Sequence, residues 1–159
     1  MSKLNSLIDN YQGLLKQGEI QKAYKGILDF VGKLRADFIR NYPQYDVSGV
    51  YQGYMDMSYF SLSNMQMKSL GLKIAIVYLH DKGTFEAWLS ARNRDIAKRY
   101  SSIMADHDSS FFHDVANQDA IVECTLVVKP DFDNQDLLLQ NIVKETEKFV
   151  HIILQCLSI

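Results

Sequence analysis

The sequence predicts an α+β fold, a small sheet covered by helices, and three observations predict it. Apolar residues recur at helical spacing towards both ends of the chain, central stretches read as strands, and glycine or proline marks the boundaries between them. The predicted order is α-α-β(β)-β-α-β-α, with a mostly antiparallel or mixed sheet of three to four strands. A length of 159 residues suits a single domain over 1–159. A chain of this size hides roughly 70% of its unfolded surface, enough for a core without metal or disulfide staples.

The first helix is predicted by Leu4, Leu7, Ile8, Tyr11, Leu14 and Leu15, and Gly18 ends it. The second carries Ile20, Ala23, Tyr24, Ile27, Val31, Leu34 and Phe38 on one stripe and stops at Asn41-Tyr42-Pro43, because residues before proline disfavour helix. Gly26 and Gly32 each weaken a helix, and the sequence leaves two explanations, close backbone packing or simple tolerance, of which tolerance is expected. Val50 to Phe60 reads as a strand with one more polar face, and Gly53 marks a bulge or a division into two shorter strands. Residues 63–71 form a connector with a helical turn.

Leu72 to His80 is the strongest strand, apolar on both faces and therefore central. Asp81-Lys82-Gly83-Thr84 supplies turn and capping chemistry for a helix predicted from Phe85 to Met104. The polar stretch from Asp106 to Asp119 reads as a loop, Ile121 to Val128 as a strand closed by Pro130, and Leu139 to Leu157 as a long amphipathic helix. There is no internal repeat.

Composition excludes whole classes of function. The chain is 47% hydrophobic and 23% charged, an ordinary globular balance. Its formal charge of −2 gives no bulk electrostatic reason to expect a nucleic-acid partner. Cys124 and Cys156 lack CxxC spacing and are expected as buried reduced thiols. The N-terminus has no basic region followed by an unbroken apolar run, and no window approaches the roughly 18 apolar residues that span a bilayer, so a cytoplasmic setting without membrane contact is expected.

The chemically informative residues are charges placed among apolar neighbours. On a helix from Phe85, Arg92 falls within the stripe of Phe85, Leu89, Ile96 and Ile103, where a guanidinium needs a partner. Asp56 and Glu123, on strands, are the expected carboxylates. With Tyr54, Tyr59 and Trp88 these residues form a candidate site: arginine suits an anionic group and aromatic walls suit a planar one. The competing reading is a structural ion pair roofed by aromatics. Arg92, Arg94, Lys98 and Arg99, with Asn93 interleaved, concentrate positive charge that could contact backbone phosphates, but Arg94 and Lys98 lie opposite the stripe and Asp95 dilutes the patch, so a solvated helix face is expected.

His80 and Asp81 sit at a strand end with no nucleophile nearby in sequence. His107 and His113, six residues apart, match no zinc signature. The predicted element order is similar to that of restriction-endonuclease-like enzymes, which hold magnesium with an acid on one strand and acid-x-Lys on the next. Asp56 suits the first position, but Leu72-Lys73-Ile74-Ala75-Ile76-Val77-Tyr78-Leu79-His80 contains no acid-x-Lys.

Gly53-Tyr54-Met55-Asp56-Met57-Ser58-Tyr59-Phe60, Leu72-Lys73-Ile74-Ala75-Ile76-Val77, Phe85-Glu86-Ala87-Trp88-Leu89 with Asn93, and Pro130-Asp131-Phe132 together resemble a family of uncharacterised bacterial proteins, a domain of unknown function in small cytoplasmic chains. The resemblance covers nearly the whole chain and implies a bacterial source and one domain, with no activity attached. The expected function is therefore a non-catalytic small-ligand-binding or protein-interaction domain, its partner a small anionic or planar ligand, with a second copy of the chain as a further candidate. The alternative is a hydrolase or nuclease-fold descendant using Asp56 and Glu123 around a divalent cation. No cofactor is indicated.

Overall fold

A computed structural model describes residues 3–105 and 117–157. Helix α1 (Leu4–Gln17) ends at Gly18, whose φ of 78° turns the chain into α2 (Glu19–Asn41). Two strands follow, β1 (Asp46–Val47) and β2 (Met57–Ser63), then the short helix α3 (Met65–Ser69). Strands β3 (Leu72–Leu79) and β4 (Thr84–Ala91), helix α4 (Arg94–Ala105), strand β5 (Val122–Val127) and helix α5 (Gln135–Leu157) complete the order.

The strands form a five-stranded meander in the order β1-β2-β3-β4-β5, every neighbouring pair antiparallel. The predicted α+β class holds, with a larger sheet than predicted. Phe60, Leu62, Ile74, Ile76, Phe85, Ala87, Leu89 and Val122 point to one face and meet Phe30, Val31, Leu34 and Phe38 of α2 in a continuous apolar core. Helix α5 adds Leu138, Ile142, Val143, Phe149, Val150, Ile153 and Leu157 to it. On the opposite face lies a smaller cluster of Ala75, Val77 and Trp88, flanked by Met57, Tyr59, Leu79 and Ala120.

The main correction falls at Phe85–Met104, predicted as one helix. Its first part is strand β4 and its second part is α4. Phe85, Trp88 and Leu89 fit a helical stripe, but Phe85, Ala87 and Leu89 also alternate with Glu86, Trp88 and Ser90. Pairing along the full length of β3, from Leu72↔Ala91 to Leu79↔Thr84, selects the second pattern. Asn93 starts the helix instead of Thr84, its side-chain oxygen accepting from the Ile96 backbone N–H at 2.9 Å.

The predicted strand over Val50–Phe60 also divides. Only Tyr51 bridges to Tyr59 before β2 begins at Met57, and the intervening residues form a loop with positive φ at Gly53 (76°) and Met55 (63°). The predicted connector contains α3, capped by Asn64, whose Oδ1 accepts from the Met67 N–H at 2.8 Å. Cys124 and Cys156 are free thiols but half-buried, not enclosed as expected. His107 and His113 lie outside the described residues.

Helix α1 buries none of its residues, and Leu4, Leu7, Ile8, Tyr11 and Leu14 remain exposed. Among the described residues, no helix is long and apolar enough to cross a membrane.

Close packing does not account for Gly26 and Gly32. A Cβ added at either position would meet no atom within 4 Å. Both are therefore propensity defects in α2, and Gly32→Ala is expected to stabilise the fold by about 0.5–1 kcal/mol. Urea unfolding of the variant measures this; an unchanged or lowered midpoint contradicts it.

Candidate functional site

A concavity among the described residues lies on the sheet face opposite α2 and α5. It has a volume of about 430 Å³, within the range of small-molecule sites. Ala75, Val77 and Trp88 form its floor, and the small Ala75 between bulkier neighbours leaves room above the sheet. Tyr51 and Tyr59, their rings 5.0 Å apart, stand on one side. The start of α4, with Asn93, Arg94 and Ala97, and the segment Gln118–Ile121 contribute the rest of the lining.

The floor is braced from the side, along β4. Glu86, only 7% exposed, accepts a hydrogen bond from Trp88 Nε1 at 2.9 Å and another from Thr84 Oγ1 at 3.3 Å. These residues share one face of β4 by strand alternation. Ser90 Oγ donates to the Asp119 carbonyl at 2.6 Å, tying the 117–121 segment to the same strand.

A second hollow of about 660 Å³ adjoins the first and shares Lys73 and Ala91 with it. Arg92, Lys68, Ser61 and Ser63 line it, as does Asp46, which forms an ion pair with Lys68. Lys73, Arg92 and Arg94 enter no ion pair with another described residue.

Of the residues predicted for the site, Tyr59 and Trp88 line the same cavity. Arg92 does not lie on an apolar helix stripe. It follows β4 as an exposed residue, and its backbone N–H donates to the Gly71 carbonyl at 2.8 Å. Asp56 belongs to the opposite end of β3, where its carbonyl accepts from the His80 N–H at 3.0 Å. Gly71 and His80 are about 30 Å apart along an extended strand, so Arg92 and Asp56 cannot pair.

Glu123 is opposite Trp88 on β5, displaced from Arg92 along β4, and its carboxylate accepts from Asn117 Nδ2. It anchors the 117–121 segment. Strands β2 and β5 are separated by β3 and β4, which places Asp56 and Glu123 more than about 14 Å apart from strand spacing alone. They cannot share one cation. Tyr54, 89% exposed, extends from the Gly53 loop away from the cavity residues.

Asp56 organises that loop. Its Oδ1 accepts from the Tyr54 N–H at 2.8 Å, and bonds from the backbone of Tyr54, then Met57 and Asp56 itself, hold its carboxyl below the usual range.

Sequence reasoning missed Lys73 as a site residue and assigned Asn93 and Arg94 to a solvated helix face, whereas both line the cavity. Had residues 84–91 been read at period 2, the polar-aromatic row of Glu86, Trp88 and Ser90 would have marked this face. It also missed a polar cluster at the other end of the sheet. There, Ser58 Oγ lies 2.8 Å from His80 Nε2 and donates to the Gln52 carbonyl at 2.5 Å. Tyr24 stacks on the His80 ring at 5.3 Å and Tyr78 meets it edge-on at 5.0 Å.

This pair is a clasp and not a poised nucleophile. Ser58 is fully buried, and with its single proton directed at Gln52 its oxygen accepts from the Nε2–H of His80. Burial pushes the His80 pKa below 6.5, opposed by the charges of Asp56 and Asp81. The native state therefore takes up fewer protons than the unfolded chain between the lowered pKa and about 6.5. Stability contributed by His80 is present above that window and lost as pH falls through it. Urea midpoints measured from pH 8 to pH 5 are expected to fall, with a smaller fall in His80→Gln; identical profiles contradict the assignment.

No curated protein and no solved structure matches the chain. A family described as a domain of unknown function matches residues 4–157. That match takes in the helices, the entire sheet and both hollows, and the chain belongs to this family, DUF7000.

Proposed function

We propose that this chain is a non-catalytic binding domain for a small planar ligand, held in the cavity above Ala75, Val77 and Trp88. One observation carries the reading: an aromatic pocket of suitable volume, walled by Tyr51 and Tyr59, opens beside cationic side chains left unpaired among the described residues. Aromatic walls favour a flat ring through offset stacking and exclude water from it. The enzyme alternative with Asp56 and Glu123 lacks support because Asp56 lies in the loop that leads into β2 and Glu123 lies on β5, with β3 and β4 between those strands.

Trp88 is the only tryptophan, so tryptophan emission, excited where tyrosine does not absorb, reports on the cavity floor. A thermal-shift screen of planar metabolites, with emission titrations of the hits, tests the reading. A ligand at 100 times its Kd raises stability by about 2.7 kcal/mol. Hits are expected to move both signals, and Tyr59→Ala is expected to remove both responses in a folded protein. Hits that stabilise the chain without moving Trp88 emission, or that bind Tyr59→Ala unchanged, contradict this placement.

A further inference from the structure

We infer that the two adjoining hollows form one bipartite site, for a planar ring carrying an anionic phosphate tail. The inference rests on the binding reading above and adds the chemical class of the ligand. The first hollow supplies the aromatic walls, the second supplies cations, and Lys73 with Ala91 belongs to both. A molecule whose ring lies between Tyr59 and Trp88 therefore has a continuous route past Lys73 to Arg92.

The charge balance along that route selects an anion. Lys73, Arg92 and Arg94 border it without an ion-pair partner among the described residues. Of the two acids that line it, Asp46 is already paired with Lys68, and Asp119 stands in the aromatic hollow away from Arg92. A guanidinium and an ammonium that converge on one hollow suit phosphate oxygens, the first as a fork and the second as a point charge. Ser61 and Ser63 place hydroxyls in the same hollow. A neutral planar ligand would leave this end unused.

The test compares matched pairs that differ only by phosphate: adenosine with AMP, guanosine with GMP, and riboflavin with FMN. Affinities are measured by calorimetry at low salt on the full chain, with Trp88 emission as a second readout for the nucleoside pairs. In at least one pair the phosphorylated member is expected to bind about tenfold tighter, the effect of one charge-assisted contact. That advantage is expected to disappear in Lys73→Gln and Arg92→Gln, both at exposed positions, while the unphosphorylated member binds Arg92→Gln, altered only in the second hollow, as it binds the parent.

Equal affinity within every pair, with Trp88 emission responding, overturns the phosphate tail and leaves the planar-ligand reading intact. A phosphate advantage that survives both variants and is lost in Arg94→Gln overturns the route into the second hollow. No binding by any pair at millimolar concentration overturns both the inference and the reading beneath it.

Discussion

Gly53→Ala is expected to lower stability by at least about 3 kcal/mol, the upper range for one strained backbone position. Two independent costs meet there. The φ of 76° lies in the left-handed region, where a side chain costs about 1–2 kcal/mol. A Cβ would also sit 2.0 Å from the Met57 carbonyl oxygen and 2.8 Å from Asp56 Oδ1, so the loop would have to open at the start of β2. Opening it disturbs the carboxylate that holds Tyr54 and the Gln52 carbonyl that receives the Ser58 proton. Thermal unfolding should register a drop of about 6–12 °C in Tm for a domain of this size. Met55 supplies the control. Its φ of 63° is positive without glycine's freedom, so Met55→Gly is expected to be neutral or slightly stabilising. A Gly53→Ala protein as stable as the parent would show that the loop has no such constraint.

Elements whose signal is local were legible in the sequence. Helix α5 holds its apolar stripe from Leu138 to Leu157, and β3 alternates so regularly that its central position follows from Ile74 and Ile76 on one face and Ala75 and Val77 on the other. Residues 84–91 were not legible in the same way. Both periods fit Phe85 and Leu89, while Glu86, Ala87 and Leu89 individually favour helix. The deciding term is pairing with β3 and β5, which no local window contains. The Gly53–Asp56 loop was legible only in part: Gly53 marks the division, but tyrosines and methionines suit a strand, and the positive φ at Met55 leaves no trace in composition.

The site inherited these errors selectively. Tyr59 and Trp88 were identified and do share a cavity, because large aromatics near the middle of a sheet announce themselves in either secondary structure. Arg92 stands out in the sequence only on a continuous helix from Phe85, but it lies between β4 and α4, and the expected pairing with Asp56 or Glu123 falls with that helix. It nevertheless lines the adjoining hollow, for a reason unrelated to the one that singled it out. Lys73, a single lysine in an otherwise apolar strand, carries no local signal of a site. Its significance depends on where the two hollows meet.

Trp88→Ala is expected to cost about 3–5 kcal/mol, the range for deleting a large buried aromatic side chain. The indole is 5% exposed and supplies most of the bulk in a cluster otherwise built of Ala75 and Val77, so few neighbours can move in to fill the space. Its loss also removes a hydrogen bond from the buried Glu86 carboxylate. Trp88→Phe separates these effects: it keeps an aromatic floor but deletes the N–H, and an expected loss of about 1–2 kcal/mol isolates the bond to Glu86. Combined with Glu86→Leu in a double-mutant cycle, measured by urea unfolding, the two sites are expected to couple by about 1 kcal/mol or more. Additive losses would contradict the bond. Coupling would mean that Glu86 sets the tilt of the indole before any ligand arrives, so the flat floor of the cavity is organised by the fold. In that case Glu86→Gln, which can still accept from the indole, should bind planar ligands far better than Glu86→Leu at matched protein stability. The residue that fixes the floor would then govern affinity without lining the cavity.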